Sequence, residues 1–212
     1  MRHGFKCTVL FPIGGGGTID PATRNNIPGL EALNTADLCI LTLRFRELED
    51  AQMKHFVAFV NSGKPIIALR TSTHAFNYTT NLSSPYARYG YRSTDWPGGF
   101  GQQVLGETWV GHHGVHGKES TRGVINEAFK SHPVLRGITD LWCPSDVYTA
   151  AHLPADASVL VWGQVLAGMR PADPPLEGPK NNPMMPVVWL RDYTGDSGRN
   201  SSSESRGAKS AI

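Results

Sequence analysis

Apolar and polar positions along the chain fall into blocks that predict strand and helix in turn. Phe5 to Phe11 is rich in β-branched and aromatic residues and predicts a strand, closed by Pro12 and the glycines Gly14 to Gly17. Pro28 to Thr35 predicts a short helix with Leu30 and Leu33 facing inward. Asp37 to Leu43 predicts a second strand, ending in Arg44-Phe45-Arg46. Glu47 to Ser62 is the strongest helix, because Met53, Phe56, Val57 and Val60 stand at i, i+3, i+4 and i+7, with Gly63 as the stop. Pro65 then opens Ile66-Ile67-Ala68-Leu69, an unbroken apolar run of the kind expected of a strand buried on both faces. It gives way within one residue to Arg70, Thr71, Ser72, Thr73 and His74. This alternation predicts right-handed parallel crossovers and a three-layer α/β domain, with strands 5–11, 37–43 and 65–70 as parallel neighbours.

Beyond His74 the pattern loosens. Residues 77–98 lack periodicity but carry Tyr86, Tyr89, Tyr91 and Trp96, which favours an ordered lid or sugar-facing surface over a free linker. The second half predicts strands at Arg122 to Ile125, Asp146 to Ala151, Ser158 to Leu166 and Met185 to Leu190, with a Pro/Gly-rich loop from Ala167 to Pro183. A single domain over 1–193 is expected. From Thr194 on, Gly, Ser and charged residues predict a disordered tail over 194–212.

Composition adds mainly exclusions. Twenty basic and 18 acidic residues leave a formal charge of +2, too balanced to provide a field for nucleic acid or a membrane surface. Cys7, Cys39 and Cys143 are widely separated and show no zinc spacing; Cys7 and Cys39 lie in apolar runs and read as small hydrophobes. No span-length apolar run and no leader pattern is visible, which makes the cytoplasm the default location. The glycines at 14–17 lack the Lys-Ser/Thr of a phosphate loop and predict a flexible turn.

The candidate chemistry gathers where strands end. Arg44 and Arg70 follow two adjacent predicted strands, at the rim where doubly wound sheets bind ligands, and their guanidinium forks suit a carboxylate, phosphate or polyol. Structural pairing of these arginines with loop carboxylates such as Asp95 or Glu107 is the equal alternative. His74 comes one turn after Arg70 and is a candidate general acid or base. His112 and His116 are candidate metal ligands. A helix there is opposed by Gly114 and Gly117, and on a strand the two would lie about 13 Å apart, so only a turn at Gly114 unites them. No carboxylate is spaced in sequence to complete such a set, so the metal and any other cofactor stay open.

Three runs carry a family resemblance: Leu43-Arg44-Phe45-Arg46-Glu47-Leu48, Ala68 to Phe76, and Gly106-Glu107-Thr108-Trp109 with His112-His113-Gly114. With His132-Pro133-Val134-Leu135-Arg136-Gly137-Ile138, the stretch from Phe5 to Tyr193 resembles the trehalose-utilisation (ThuA-like) family. The resemblance implies a class I glutamine amidotransferase-like fold: flavodoxin-like, doubly wound, with a mostly parallel sheet and helices on both faces. Such folds normally place a strand and helix before the one at Phe5, so an N-terminal strand is expected to be missing, with the far end altered too. Relatives in the wider superfamily carry a nucleophilic Cys where this chain has Arg70, so Cys-dependent glutamine hydrolysis is not expected.

The resemblance further implies a role in carbohydrate metabolism. It places the 109–116 loop over the crevice, giving a polar pocket in which Arg44, Arg70, Trp109 and His112 bind a small sugar-like ligand and His74 or His113 moves protons. A non-catalytic carbohydrate-binding or regulatory domain, or an inactive gene fragment, is the alternative. Exposed Phe5, Val9 and Phe11 on an unpaired first strand would favour a homo-oligomer.

Overall fold

The computed structural model describes residues 2–193; the segment 194–212, expected to be a disordered tail, lies outside the described residues. The element order begins with 3-10 turns at Arg2–Gly4 and Leu30–Asn34, then β1 (Cys39–Leu41), α1 (Asp50–Asn61) and β2 (Ile66–Ala68). The sheet strands of the second half are β3 (Ser120–Ile125), β4 (Trp142–Cys143), β5 (Ser158–Leu166) and β6 (Met185–Leu190).

The helix forms where its apolar stripe has something to pack on. Met53, Phe56, Phe59 and Val60 are buried, and Val57 is partly buried against the same core. The Phe56 ring lies 5.0 Å from Phe76 and 5.1 Å from Phe100, so the helix is fastened to the segment that follows β2. Gly63, at φ 70, closes the helix through its N–H to the Val60 carbonyl and turns the chain into β2. There β1 and β2 pair in parallel, Cys39 with Ile66 and Leu41 with Ala68. This part of the expectation is met, with the helix as crossover.

The doubly wound, mostly parallel flavodoxin-like sheet with helices on both faces is not what the chain forms. Among the described residues, parallel strands are limited to these two three-residue strands, with one isolated parallel bridge beyond them between Arg46 and Phe76. The other sheet has four antiparallel strands in the order β4-β3-β5-β6, and α1 is the sole α-helix among the described residues. A parallel crossover needs a dozen or more residues, usually a helix, to carry the chain back across the sheet. Between β3 and β6 only single 3-10 turns occur, at Glu127–Phe129, Pro133–Leu135 and Gly178–Lys180, so successive strands run back alongside each other.

Phe5 to Phe11 is not a strand: no ladder partner faces it, and Phe5, Val9 and Phe11 are exposed. Strand propensity measures fit to a half-buried pleated surface, and without that surface the residues remain irregular. Nor is the β2 region buried on both faces. Ile40 is 62% exposed opposite the half-buried Ile67, because only one face of the two-stranded sheet is covered.

Two cores result. One surrounds α1 and takes in Phe76, Phe100, Leu105 and the buried Tyr78 and Tyr89. The other joins Leu135, Leu160, Val161 and Val188 beneath the antiparallel sheet. The 77–98 segment belongs to the first core and does not form a separate lid. Its start is pinned by Glu47, whose carboxylate accepts the N–H groups of Thr79, Thr80 and Asn81 at 3.1, 2.7 and 2.7 Å. Burial would raise the Glu47 pKa, but these bonds outweigh it and hold the group at about 2.

Candidate functional site

The end of β2 sets one wall of the site. The Leu69 N–H bonds to Leu41 O at 2.8 Å, the last rung before the chain turns. Thr71 then takes φ 83, a left-handed conformation that costs a β-branched residue free energy, with its hydroxyl donating to Leu43 O at 2.8 Å. Phe45, past the end of β1, also has positive φ, at 53. Both strained residues directly follow the arginines singled out from sequence, Arg44 and Arg70.

The arginines diverge in their surroundings. Arg44 is exposed and lies over the Phe45 ring at 4.8 Å. Arg70 is half-buried, with its guanidinium carbon 3.7 Å from the centroid of the Tyr148 ring. It donates to the backbone oxygen of Asp146 at 2.6 Å and to its Oδ1 at 3.2 Å. His112 and His116 converge on the same carboxylate: His112 Nδ1 is 2.6 Å from Oδ2 and His116 Nδ1 is 2.8 Å from Oδ1. Asp146 is 1% exposed and is the hub of the cluster. Its burial would raise the pKa, yet the two imidazole hydrogen bonds and the Arg70 charge outweigh that and hold the carboxyl below its usual value.

Glycine permits this convergence. A Cβ on Gly114 would stand 2.9 Å from Asp146 Cβ and 3.2 Å from Val147 N, so a larger residue would push the histidine loop off the carboxylate. The His113 and Gly114 N–H groups bond to Val147 O at 2.9 and 3.1 Å, and His112 bridges Tyr148 antiparallel. The predicted strand from Asp146 to Ala151 is therefore an irregular segment that docks on this loop. His113 turns elsewhere: its Nε2 bonds with Lys180 O at 2.8 Å, and Lys180 Nζ donates back to His113 O at 2.7 Å.

His74 is 2% exposed, packed among the rings of Phe45 (4.9 Å), Trp109 (5.2 Å) and Tyr148 (5.8 Å). Burial, then the charges of Arg44, Arg70 and His112, push its pKa down to about 4. It is neutral at pH 7, well away from the value that suits a general acid or base there.

A cavity of about 150 Å³ opens beside the cluster, lined by Arg70, Trp109, Asp146 and Tyr148 on one side and mostly apolar side chains from the antiparallel sheet on the other. Arg44, His74, His112 and His113 are not on its wall. Trp109 presents a buried indole N–H that no protein acceptor satisfies. Sequence reasoning picked out Arg70, His112 and His116 but not Asp146 or Tyr148. The available signal was an acidic residue opening the apolar run Val147-Tyr148-Thr149-Ala150, the mirror of Arg70 closing one.

No protein-family model, curated protein or solved structure matches this chain.

Proposed function

We propose that the chain binds and acts on a small sugar-derived ligand at the Arg70–Asp146 cavity. One observation carries the reading: the cavity wall holds a hydrogen-bonded Arg70–Asp146 pair, with the Tyr148 ring against the guanidinium and the Trp109 side chain beside them. Pockets that take small molecules are mostly apolar with a few fixed polar groups, as here. The volume is below the roughly 300–1,000 Å³ typical of larger ligands, so the occupant is on the scale of a monosaccharide or smaller. The resemblance of residues 43–48, 68–76 and 106–114 to the trehalose-utilisation family supports a carbohydrate over other polar ligands. In this reading Arg70 and Trp109 grip the ligand, and Asp146, His112 and His116 form the reactive end.

Binding without turnover is the second reading. It is favoured by His74 being neutral and packed in aromatic rings and by His113 being tied to Lys180. Calorimetric titration with a panel of monosaccharides and sugar acids tests the proposal, and product analysis on any binder separates the two readings. Arg70→Ala is expected to weaken binding by about 1.5–3 kcal/mol, the scale of charged hydrogen bonds. Trp109→Phe keeps an aromatic face on the cavity wall but removes part of the indole's apolar area, and is expected to cost about 0.5–1.5 kcal/mol. Failure of the whole panel to bind, or identical affinities for wild type and both variants, would refute the site.

A further inference from the structure

We infer that His112, His116 and Asp146 bind one divalent transition-metal ion of the zinc type. This rests on the reading above, in which the same three residues form the reactive end of the cleft. Each offers a ligand atom, and the three atoms lie within 4.8 Å of one another. Two imidazoles and one carboxylate, with further positions open to solvent or substrate, are a donor set that zinc and its neighbours take in catalytic sites. The present nitrogen–oxygen separations, 2.6 and 2.8 Å, are hydrogen-bond lengths. Ligands at 2.0–2.2 Å from a common ion stand roughly 3–4 Å apart, so the two nitrogen–oxygen pairs open by a few tenths of an ångström while the widest separation, within 4.8 Å, closes to match.

The surroundings supply both a fixed base and an entry path. Asp146 is anchored by its buried position and by Arg70, while the His112 and His116 side chains are 40% and 73% exposed. An exposed histidine has no need of a buried carboxylate, yet both of these point Nδ1 at one. Gly114, between them, lets the loop fold back on Asp146 where a strand or helix would have separated the rings. The charge of Arg70, 3.2 Å from Oδ1, opposes a cation and lowers the affinity. A metal-bound imidazole is neutral, so the two histidines would add ligands without adding charge. When bound, the ion would polarise a ligand oxygen at the mouth of the cavity.

The test uses full-length protein treated with chelator and dialysed, then titrated with Zn²⁺ by calorimetry, with elemental analysis after desalting. Co²⁺ reports the ligand geometry through its visible absorption. One equivalent is expected to be retained, and His116→Ala, a change at an exposed side chain, is expected to weaken it by roughly 100-fold or more. His55→Ala, whose ring bonds Asn34 away from the cluster, should bind Zn²⁺ like wild type. Retention well below one equivalent, or wild-type affinity in His116→Ala with unchanged circular dichroism, would overturn the inference. The same samples are titrated with the sugar panel. Sugar binding without metal uptake sinks the metal site alone, and metal uptake without any sugar binding sinks the carbohydrate reading alone.

Discussion

Asp146 shows how much one residue can depend on others distant in the chain. Its carboxylate carries no function that its neighbours in sequence would suggest, and its lowered pKa comes from partners supplied by two separate segments, the turn after β2 and the histidine loop. His74 shows the converse: a histidine beside an arginine-rich strand end looks chemically available in sequence, but aromatic packing makes it a neutral core residue. Its depressed pKa has a consequence for stability. Between pH 6.5 and about 4 the unfolded chain takes up a proton that the folded chain refuses, so stability is full above the unfolded value and falls with pH through this window. At about 1.36 kcal/mol per pKa unit, His74 contributes a loss of about 3 kcal/mol by pH 4. Denaturant melts of wild type and His74→Phe across that range measure it. The wild type should lose more stability than the variant by about this amount, and parallel curves would show that His74 does not refuse the proton.

At the scale of elements, α1 is the part most fully specified by local pattern. Its stripe buries Met53, Phe56 and Val60, and Phe56 is 1% exposed between two other phenylalanines. Phe56→Ala is expected to cost about 3–5 kcal/mol, the range for deleting a buried aromatic side chain. An unchanged urea midpoint would mean that the stripe does not bear on the core. Ser158–Leu166 and Met185–Leu190 were also legible, to the residue, from their apolar runs. Their direction was not, because an isolated strand pattern is the same whichever way its neighbour runs. Phe5 to Phe11 has the same kind of pattern and makes no strand, for want of a neighbour.

Across the whole molecule, the small parallel pair and the antiparallel sheet meet at the cluster: β2 leads into Arg70, and the antiparallel sheet's strands flank the segment that bears Asp146. The helices that a doubly wound fold would place on both sheet faces are absent among the described residues, and apolar surface remains uncovered. Phe5, Val9 and Ile40 are 64%, 70% and 62% exposed. Scattered apolar exposure is ordinary, but large apolar residues this exposed, together with an uncovered sheet face at Ile40, favour association. Light scattering on the eluted protein is expected to show species larger than a monomer, with Phe5→Ser and Val9→Ser together shifting them downward. A wild-type monomer that persists at high concentration would refute this. No described helix is long and apolar enough to cross a membrane.

The sequence by itself determined what burial alone can encode. Apolar periodicity placed α1, and unbroken apolar runs placed β5, β6 and the core of β2, because each pattern reports only whether a position meets water. It also marked the polar break after Leu69, where Arg70 now stands. Tertiary structure alone decided which segments became neighbours. Strand direction followed from the lack of a helical crossover in the second half. The meeting of His112 and His116 on Asp146 followed from a close approach at Gly114, and that of Arg70 from where β2 ends. Neither leaves a periodic trace, since a contact between residues 70 and 146 is set by the path of the chain between them and not by the pattern at either end.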